Sequence, residues 1–303
     1  MLYYSRLIIQ ILIMSFLSYL IVLSISMFLN ILPRKISLFF GRLIGITIYH
    51  ILPIRKKIAL ENIKDNFPNL STEKQLKILK NTYIHFGMVL TDFLRTKRLN
   101  KNNINQIVKI DTDTWKLLKD NNGAIIMTGH LGNWEYFLPT FGLNGLKFSI
   151  VAQKIKNSYL NTFFTKIRQV DNVEVIFKDA GSRKMMKILK EKKYLGLASD
   201  QNAGKKGEKV KLLNIEASIP KGAAIFHLKT KTPIIVGYCI MNQKYNYNFN
   251  AEMIDCSKIN REKDDAIYTI NRNFTKNLER MIKKYPEQYF WFHRMKDKKK
   301  YQK

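Results

Sequence analysis

Cysteine is scarce: the 303 residues hold only Cys239 and Cys256. They form no C-x-x-C pair, so neither a zinc framework nor a disulfide scaffold is indicated. The chain also lacks a Walker or dinucleotide glycine loop and an H-E-x-x-H helix, and it shows no internal repeat. No cofactor and no metal are therefore expected. Acidic residues are few as well. Asp and Glu total 23 against 52 Lys and Arg, a formal net charge of +29. Abundant Lys, Asn, Ile, Phe and Tyr point to biased coding, but such bias favours Glu too, and Glu is scarce. A balance this basic fits nucleic acid, an anionic membrane surface or acidic substrates. The bland alternative is a basic surface with no specific partner. Apolar residues make up 46% of the chain, enough for a sizeable core. The length suits one large α/β domain with a short appendage, or two small domains.

The run Leu7 to Leu32 holds no charged residue. As a helix it would extend about 39 Å, more than a hydrocarbon core requires. A signal peptide has a shorter apolar region and a small-residue cleavage site, and neither is found here. A retained transmembrane anchor over residues 1–35, a single N-terminal span, is expected, with a cytosolic domain over 36–303. Only Arg6 precedes the run, whereas Arg34, Lys35, Arg42, Arg55, Lys56 and Lys57 follow it. The positive-inside bias then puts the bulk of the chain in the cytoplasm. Ser37 to Leu52 is again apolar and reads either as an interfacial segment or as a core helix.

After Pro53 apolar strands alternate with helices. Ser71 is a plausible N-cap, and Leu76, Leu79, Tyr83, Phe86, Leu90 and Phe93 recur at helical spacing. Strands are predicted at Ala124–Met127, Phe148–Ala152, Val173–Ile176, Tyr194–Ala198 and Pro233–Ile240, with an edge strand at Tyr245–Ile254. Helices are predicted at Ser182–Leu189, at Gly222–Lys229 and around Ile267 to Met281. This alternation predicts an α/β fold, a largely parallel twisted sheet flanked by helices, with the ligand beyond the C-terminal strand ends.

The segment Thr128-Gly129-His130-Leu131-Gly132-Asn133-Trp134-Glu135 follows the first of those strands. His130 therefore falls in a loop at a strand end. Glu135 can reach it only if His130 sits in the turn and Glu135 in the helix that follows. A neutral imidazole can take the proton of an attacking hydroxyl, and a carboxylate on the other ring nitrogen fixes its tautomer. The competing reading is a capping His130 and a solvated Glu135. A second cluster, Ser199-Asp200-Gln201-Asn202-Ala203-Gly204-Lys205-Lys206-Gly207, also follows a strand and offers charge to phosphate, unless it is simply a flexible basic loop. Ser218 could cap the helix opening at Gly222, whose amides could hold an anion. His50, His85 and His227 read as buried structural residues. His293, in Trp291-Phe292-His293-Arg294, reads as a lipid-contact element or interfacial packing.

The run Gly129 to Glu135 resembles the signature of the lipid A biosynthesis acyltransferases, the lauroyl and myristoyl transferases related to glycerolipid acyltransferases. The resemblance spans nearly the whole chain and implies an acyltransferase domain over 36–303. It includes Ala59-Leu60-Glu61-Asn62-Ile63, Phe67-Pro68, Asp200-Gln201-Asn202-Ala203-Gly204, Pro220-Lys221-Gly222-Ala223-Ala224 and Tyr289-Phe290-Trp291-Phe292-His293-Arg294. It implies late, secondary transfer of an acyl chain from acyl carrier protein to a hydroxyl of a lipid A precursor, at the cytoplasmic face of the bacterial inner membrane. It also implies His130 as general base and Glu135 as its partner. Asn133, Arg168, Asp200, Gln201, Lys205, Lys206, Gly222 and Arg294 are the expected substrate-binding residues. One departure stands out: Gln153 and Lys154 occupy the place where members often carry an Arg, which leaves Arg168 or Lys154 itself to supply that charge.

The implied partners suit the charge, because acyl carrier protein is acidic and a phosphorylated lipid is anionic, as is the membrane. Two other readings stay open. One is an acyl-CoA-dependent acyltransferase acting on another glycolipid or a lysophospholipid. The other is a non-catalytic, membrane-tethered polyanion binder. Against nucleic acid as partner, Lys and Arg are spread along the chain and no nucleic-acid motif is present.

Overall fold

The computed structural model describes residues 2–256, 259, 265–296 and 301, with side chains from Leu12 onward. The N-terminal half is mainly helical. It runs through α1 (Leu2–Ile31), α2 (Arg34–His50), α3 (Lys56–Asn66), α4 (Thr72–Leu94) and α5 (Ile104–Ile107). Then follow β1 (Val108–Ile110), α6 (Thr112–Asp120), β2 (Ile125–Thr128), α7 (Phe137–Leu143), β3 (Phe148–Ala152) and α8 (Ser158–Ile167). Next come β4 (Val173–Phe177), α9 (Gly181–Lys190), β5 (Tyr194–Ala198), β6 (Glu208–Leu212) and β7 (Ile215–Ile219). The chain closes with α10 (Gly222–Thr230), β8 (Ile234–Met241), β9 (Tyr247–Met253) and α11 (Ala266–Lys284).

Seven strands form one sheet in the order β1-β9-β8-β2-β5-β3-β4, all parallel along the β8-to-β4 stretch, and β6 pairs with β7 in a separate hairpin. The largely parallel sheet flanked by helices matches the sequence expectation. The β9 strand alternates inward Tyr247 and Phe249 with outward Asn248 and Asn250, as a half-buried strand should. It is not an edge, because β1 pairs alongside it. The β2 strand is buried throughout. Its Ile125 and Met127 join a core with α10 and α11, while Ala124 and Ile126 meet Phe137 and Phe141 of α7 on the other face. Helices thus cover both faces, as burial of a parallel sheet requires.

Local chemistry sets several helix starts. Ser71 accepts from Lys74 N at 3.4 Å, Asp111 from Thr114 N at 2.7 Å and Asn157 from Leu160 N at 3.1 Å. Ser71 thus caps α4 as expected. Gly41 and Gly45 of α2 lie against Gly87 of α4, where a Cβ on Gly87 would run into the Gly41 carbonyl. The two helices therefore pack backbone to backbone. The apolar stretch from Ser37 buries this glycine face yet leaves Phe39 and Leu43 exposed. This helix packing fits the core-helix reading offered for it. His50, expected inside, ends α2 and is exposed, whereas His85 and His227 are buried. The α1 stretch Leu12–Ile31 is apolar and long enough to cross a membrane.

Candidate active site

The neighbouring strands β2 and β5 run in register, with Thr128 opposite Ala198. Ser199 N extends the pairing to Thr128 O at 2.8 Å. The loops leaving these two strand ends therefore emerge side by side. One carries His130 and the other Asp200.

The Asp200 carboxylate grips the His130 loop twice: Oδ1 lies 2.7 Å from His130 Nδ1, and Oδ2 accepts from the His130 backbone amide at 2.7 Å. Asp200 is almost wholly buried. Burial alone would raise its pKa, but the charge and hydrogen bond of His130, aided by His293 and the His130 amide, hold it down at about 2. Burial works to lower the His130 pKa. The Asp200 carboxylate, with help from Glu135, carries it above the ordinary imidazole range. An ionised carboxylate at Nδ1 fixes the proton there and leaves Nε2 as the basic nitrogen. Gln201 Nε2 lies 3.2 Å from that nitrogen.

The expected bond between His130 and Glu135 is not what the structure shows. Trp134–Tyr136 form a single 3₁₀ turn, and the Glu135 carboxylate meets Arg168, at the C-terminal end of α8, through Nε at 2.8 Å and Nη2 at 2.6 Å. The fork geometry matches a guanidinium to a carboxylate, and both side chains are largely buried. The partner of the ring is set by strand pairing across the sheet rather than by closeness in sequence.

A cavity of about 600 Å³ lies over this pair. Its polar lining includes His130, Glu135, Arg168 and Gln201, and its apolar lining includes Ile150, Met185, Leu197 and Phe226. Gly222 and Ala223, in the first turn of α10, also face it. Such a mixture suits an apolar chain joined to a polar reacting group. Ser218 does not cap α10, because its hydroxyl donates to Gly204 O at 2.6 Å.

The other expected binders stand apart from this cavity. Asn133 is fully buried and donates to the Tyr247 hydroxyl at 3.1 Å, so it supports the loop from behind. Lys205, Lys206 and Arg294 are exposed and do not line the cavity. Lys154 pairs with Asp179 at 2.7 Å in the open. The Nδ1-bound carboxylate is the residue local sequence reasoning assigned elsewhere. Its signal was the short apolar strand Tyr194–Ala198 running straight into Ser199-Asp200.

A C-terminal strap fixes the His130 loop. Phe290 N donates to His130 O at 2.9 Å, and Gly132 N donates to Gln288 O at 2.9 Å. Gly132 has φ +67°, and a Cβ there would collide with the Cys239 carbonyl, so glycine is required. The buried Asn62 holds the strap from α3, donating to Trp291 O at 2.7 Å and His293 O at 2.8 Å. Tyr289 is buried beside Asp200, and its hydroxyl lies 3.4 Å from His293 Nε2. His293, expected at a lipid contact or interface, is buried beside Tyr289, and burial pushes its pKa down.

The family model described as bacterial lipid A biosynthesis acyltransferase matches residues 9–296. No curated protein matches the chain. The match covers nearly all of the sequence, and the chain belongs to the bacterial lipid A biosynthesis acyltransferases.

Proposed function

From membership in that acyltransferase family, we propose that the chain carries out a late, secondary acylation at the cytoplasmic face of the bacterial inner membrane. The donor is an acyl carrier protein thioester and the acceptor a hydroxyl of a phosphorylated lipid A precursor. The observation that carries this reading is a base held by a buried carboxylate at the polar end of a mainly apolar cavity.

The acceptor hydroxyl displaces Gln201 from His130 Nε2 and attacks the thioester carbonyl as the ring takes its proton. The Asp200 carboxylate stabilises the imidazolium that forms. The tetrahedral intermediate collapses, the carbon–sulfur bond breaks, and the proton passes from Nε2 to the departing thiolate. No nucleophile on the enzyme is needed, because the acceptor supplies the hydroxyl. Gly222 and Ala223, in the first turn of α10, line the same cavity, and their amides are suited to the oxyanion.

Arg168 spends Nε and Nη2 on Glu135. Its remaining Nη1 is suited to a phosphate oxygen of the acceptor, with Glu135 as the group that aims it. The basic surface, Lys205, Lys206 and Arg294 included, favours an acidic carrier protein and the anionic membrane by steering. The helix α1 keeps the chain at that membrane. Residues 1–35 and 36–303 serve as anchor and catalytic unit respectively.

Purified full-length protein tested with carrier-protein thioesters of several lengths and with acyl-CoA, against lipid A precursors and lysophospholipids, decides the matter. Transfer from the carrier-protein thioester to the lipid A precursor is expected. Transfer from acyl-CoA to a lysophospholipid, with none to the lipid A precursor, would overturn the assignment.

A further inference from the structure

No acidic residue precedes Glu61. Among the described residues, every exposed large apolar side chain except Tyr245, Met253 and Tyr268 belongs to α1, α2, the turn at 51–54, Leu90 of α4, or the segment at 155–159. These elements are joined. Phe28 of α1 meets Phe40 of α2 at 5.3 Å between ring centroids, and Tyr19 stacks on Tyr159 at 6.0 Å. So much unpartnered apolar surface is not left facing water in a soluble monomer.

The docking of α1 decides how that surface meets a bilayer. Asn157 Nδ2 donates to Ser15 O at 2.9 Å, near one end of the contact. At the other end Ser26 Oγ donates to Leu94 O at 3.1 Å and Asn30 Nδ2 to the same carbonyl at 2.9 Å. The helix therefore lies along the catalytic unit from Ser15 to Asn30, about 23 Å at the rise of an α-helix. Suppose α1 crossed upright with Ile31 at the cytoplasmic surface. Asn157 would then sit about 23 Å deep in a core roughly 30 Å thick, beyond its mid-plane. Exposed Lys154 and Lys156 would follow it, placing two charged side chains in the hydrocarbon, where each is costly to hold.

We propose that α1, although long enough to span, lies along one leaflet. Together with α2, the 51–54 turn and the 155–159 segment it forms a single apolar foot sunk among the lipid chains. Lys35, Arg42, Lys57, Lys154 and Lys156, all exposed, reach back to the headgroups. Ile155 belongs both to this foot and to the cavity lining, so the cavity mouth opens at lipid level. An acceptor then reaches His130 sideways, without leaving the leaflet.

The test uses the full chain with Cys256→Ser, carrying one nitroxide at Ile21→Cys, Leu43→Cys, Leu52→Cys or Tyr268→Cys. The protein is reconstituted in vesicles of phosphatidylethanolamine and phosphatidylglycerol, and depth is read from relaxation by oxygen against a nickel chelate. Near-ultraviolet dichroism matching the parent certifies each variant. Labels at Ile21, Leu43 and Leu52 are expected at similar depths of about 5–10 Å, with Tyr268 in water. A label at Ile21 near the bilayer centre, about 15 Å deep, would overturn the proposal. So would Leu43 and Leu52 in water, or labels shielded from both reagents, which would mean a protein partner instead of lipid.

Discussion

Among the described residues two carboxylates, Asp92 and Asp200, lie fully inside the molecule, and their partners differ. Asp92 of α4 is gripped by Arg34, Nε to Oδ1 at 2.9 Å and Nη2 to Oδ2 at 2.7 Å, and it also accepts from the Tyr247 hydroxyl at 2.8 Å. Arg34 is spent further on Asn246 Oδ1 and Tyr245 O. Burial opposes its charge, yet Asp92 more than restores it, so that guanidinium never titrates. Asp200 is held instead by an imidazole, a group that changes charge near neutrality. The same acid is structural beside a permanent cation, and we propose that it is chemical beside a switchable one whose other nitrogen meets only Gln201 at the cavity.

Breaking the switchable pair should have the largest effect. His130→Ala and Asp200→Asn are each expected to lower kcat by about 10³–10⁴-fold while the protein stays folded, since one removes the base and the other misorients it. Rates with saturating donor and acceptor, beside an unchanged melting curve, check this. Near wild-type turnover in folded Asp200→Asn protein would reduce Asp200 to a structural role like that of Asp92.

Breaking the permanent pair should act through stability. Arg34→Met leaves Asp92 buried and uncompensated, a loss of about 3–5 kcal/mol. Denaturant unfolding in detergent should show it, and at low temperature the surviving folded fraction should keep normal kcat.

The Glu135–Arg168 fork lies between the two cases, a permanent pair at the edge of the chemical cavity. Glu135→Gln keeps the shape but loosens the fork, and misaimed substrate should cost about 10²-fold in kcat. Equal loss in Arg168→Ala and in the double variant would show that the two act as one unit. Simple additivity would separate them.

The pH profile sharpens the contrast further. Only neutral His130 can accept a proton. Asp200 raises its pKa, so activity should fall with acid through a midpoint above the ordinary imidazole value. Residual activity of Asp200→Asn should show that limb moved to lower pH. An unmoved limb would mean that another group titrates.

The smallest effect is expected at the rim. Neutralising Lys205, Lys206 and Arg294 together should raise KM a few-fold for donor or acceptor and blunt its salt dependence, leaving kcat nearly unchanged, because exposed charges act through screened steering. Loss of kcat alone would place them in the transition state.

Much of the fold was legible because central strands of a parallel sheet are short apolar runs between turn residues. Ile125 to Thr128 and Tyr194 to Ala198 carry that signature. His130 was legible as the residue such a strand delivers to its C-terminal end. Its partner was not. The spacing from His130 to Glu135 is local, while the bond to Asp200 spans the strand pairing and cannot be read from neighbours along the chain. The β6–β7 hairpin escaped for a related reason. Its turn puts Leu213 at φ +54°, where the expected marker would be glycine or asparagine. The β1 strand, three residues long, is too short to show alternation.

The strap from Gln288 to His293 has a consequence in the order of synthesis. Every strand of the sheet leaves the ribosome before the strap does. Until Gln288 and Phe290 emerge, Gly132 N and His130 O have no rail to hold them, and Asn62 has nothing to bind. The His130 loop is therefore set only after every strand of the sheet has been made.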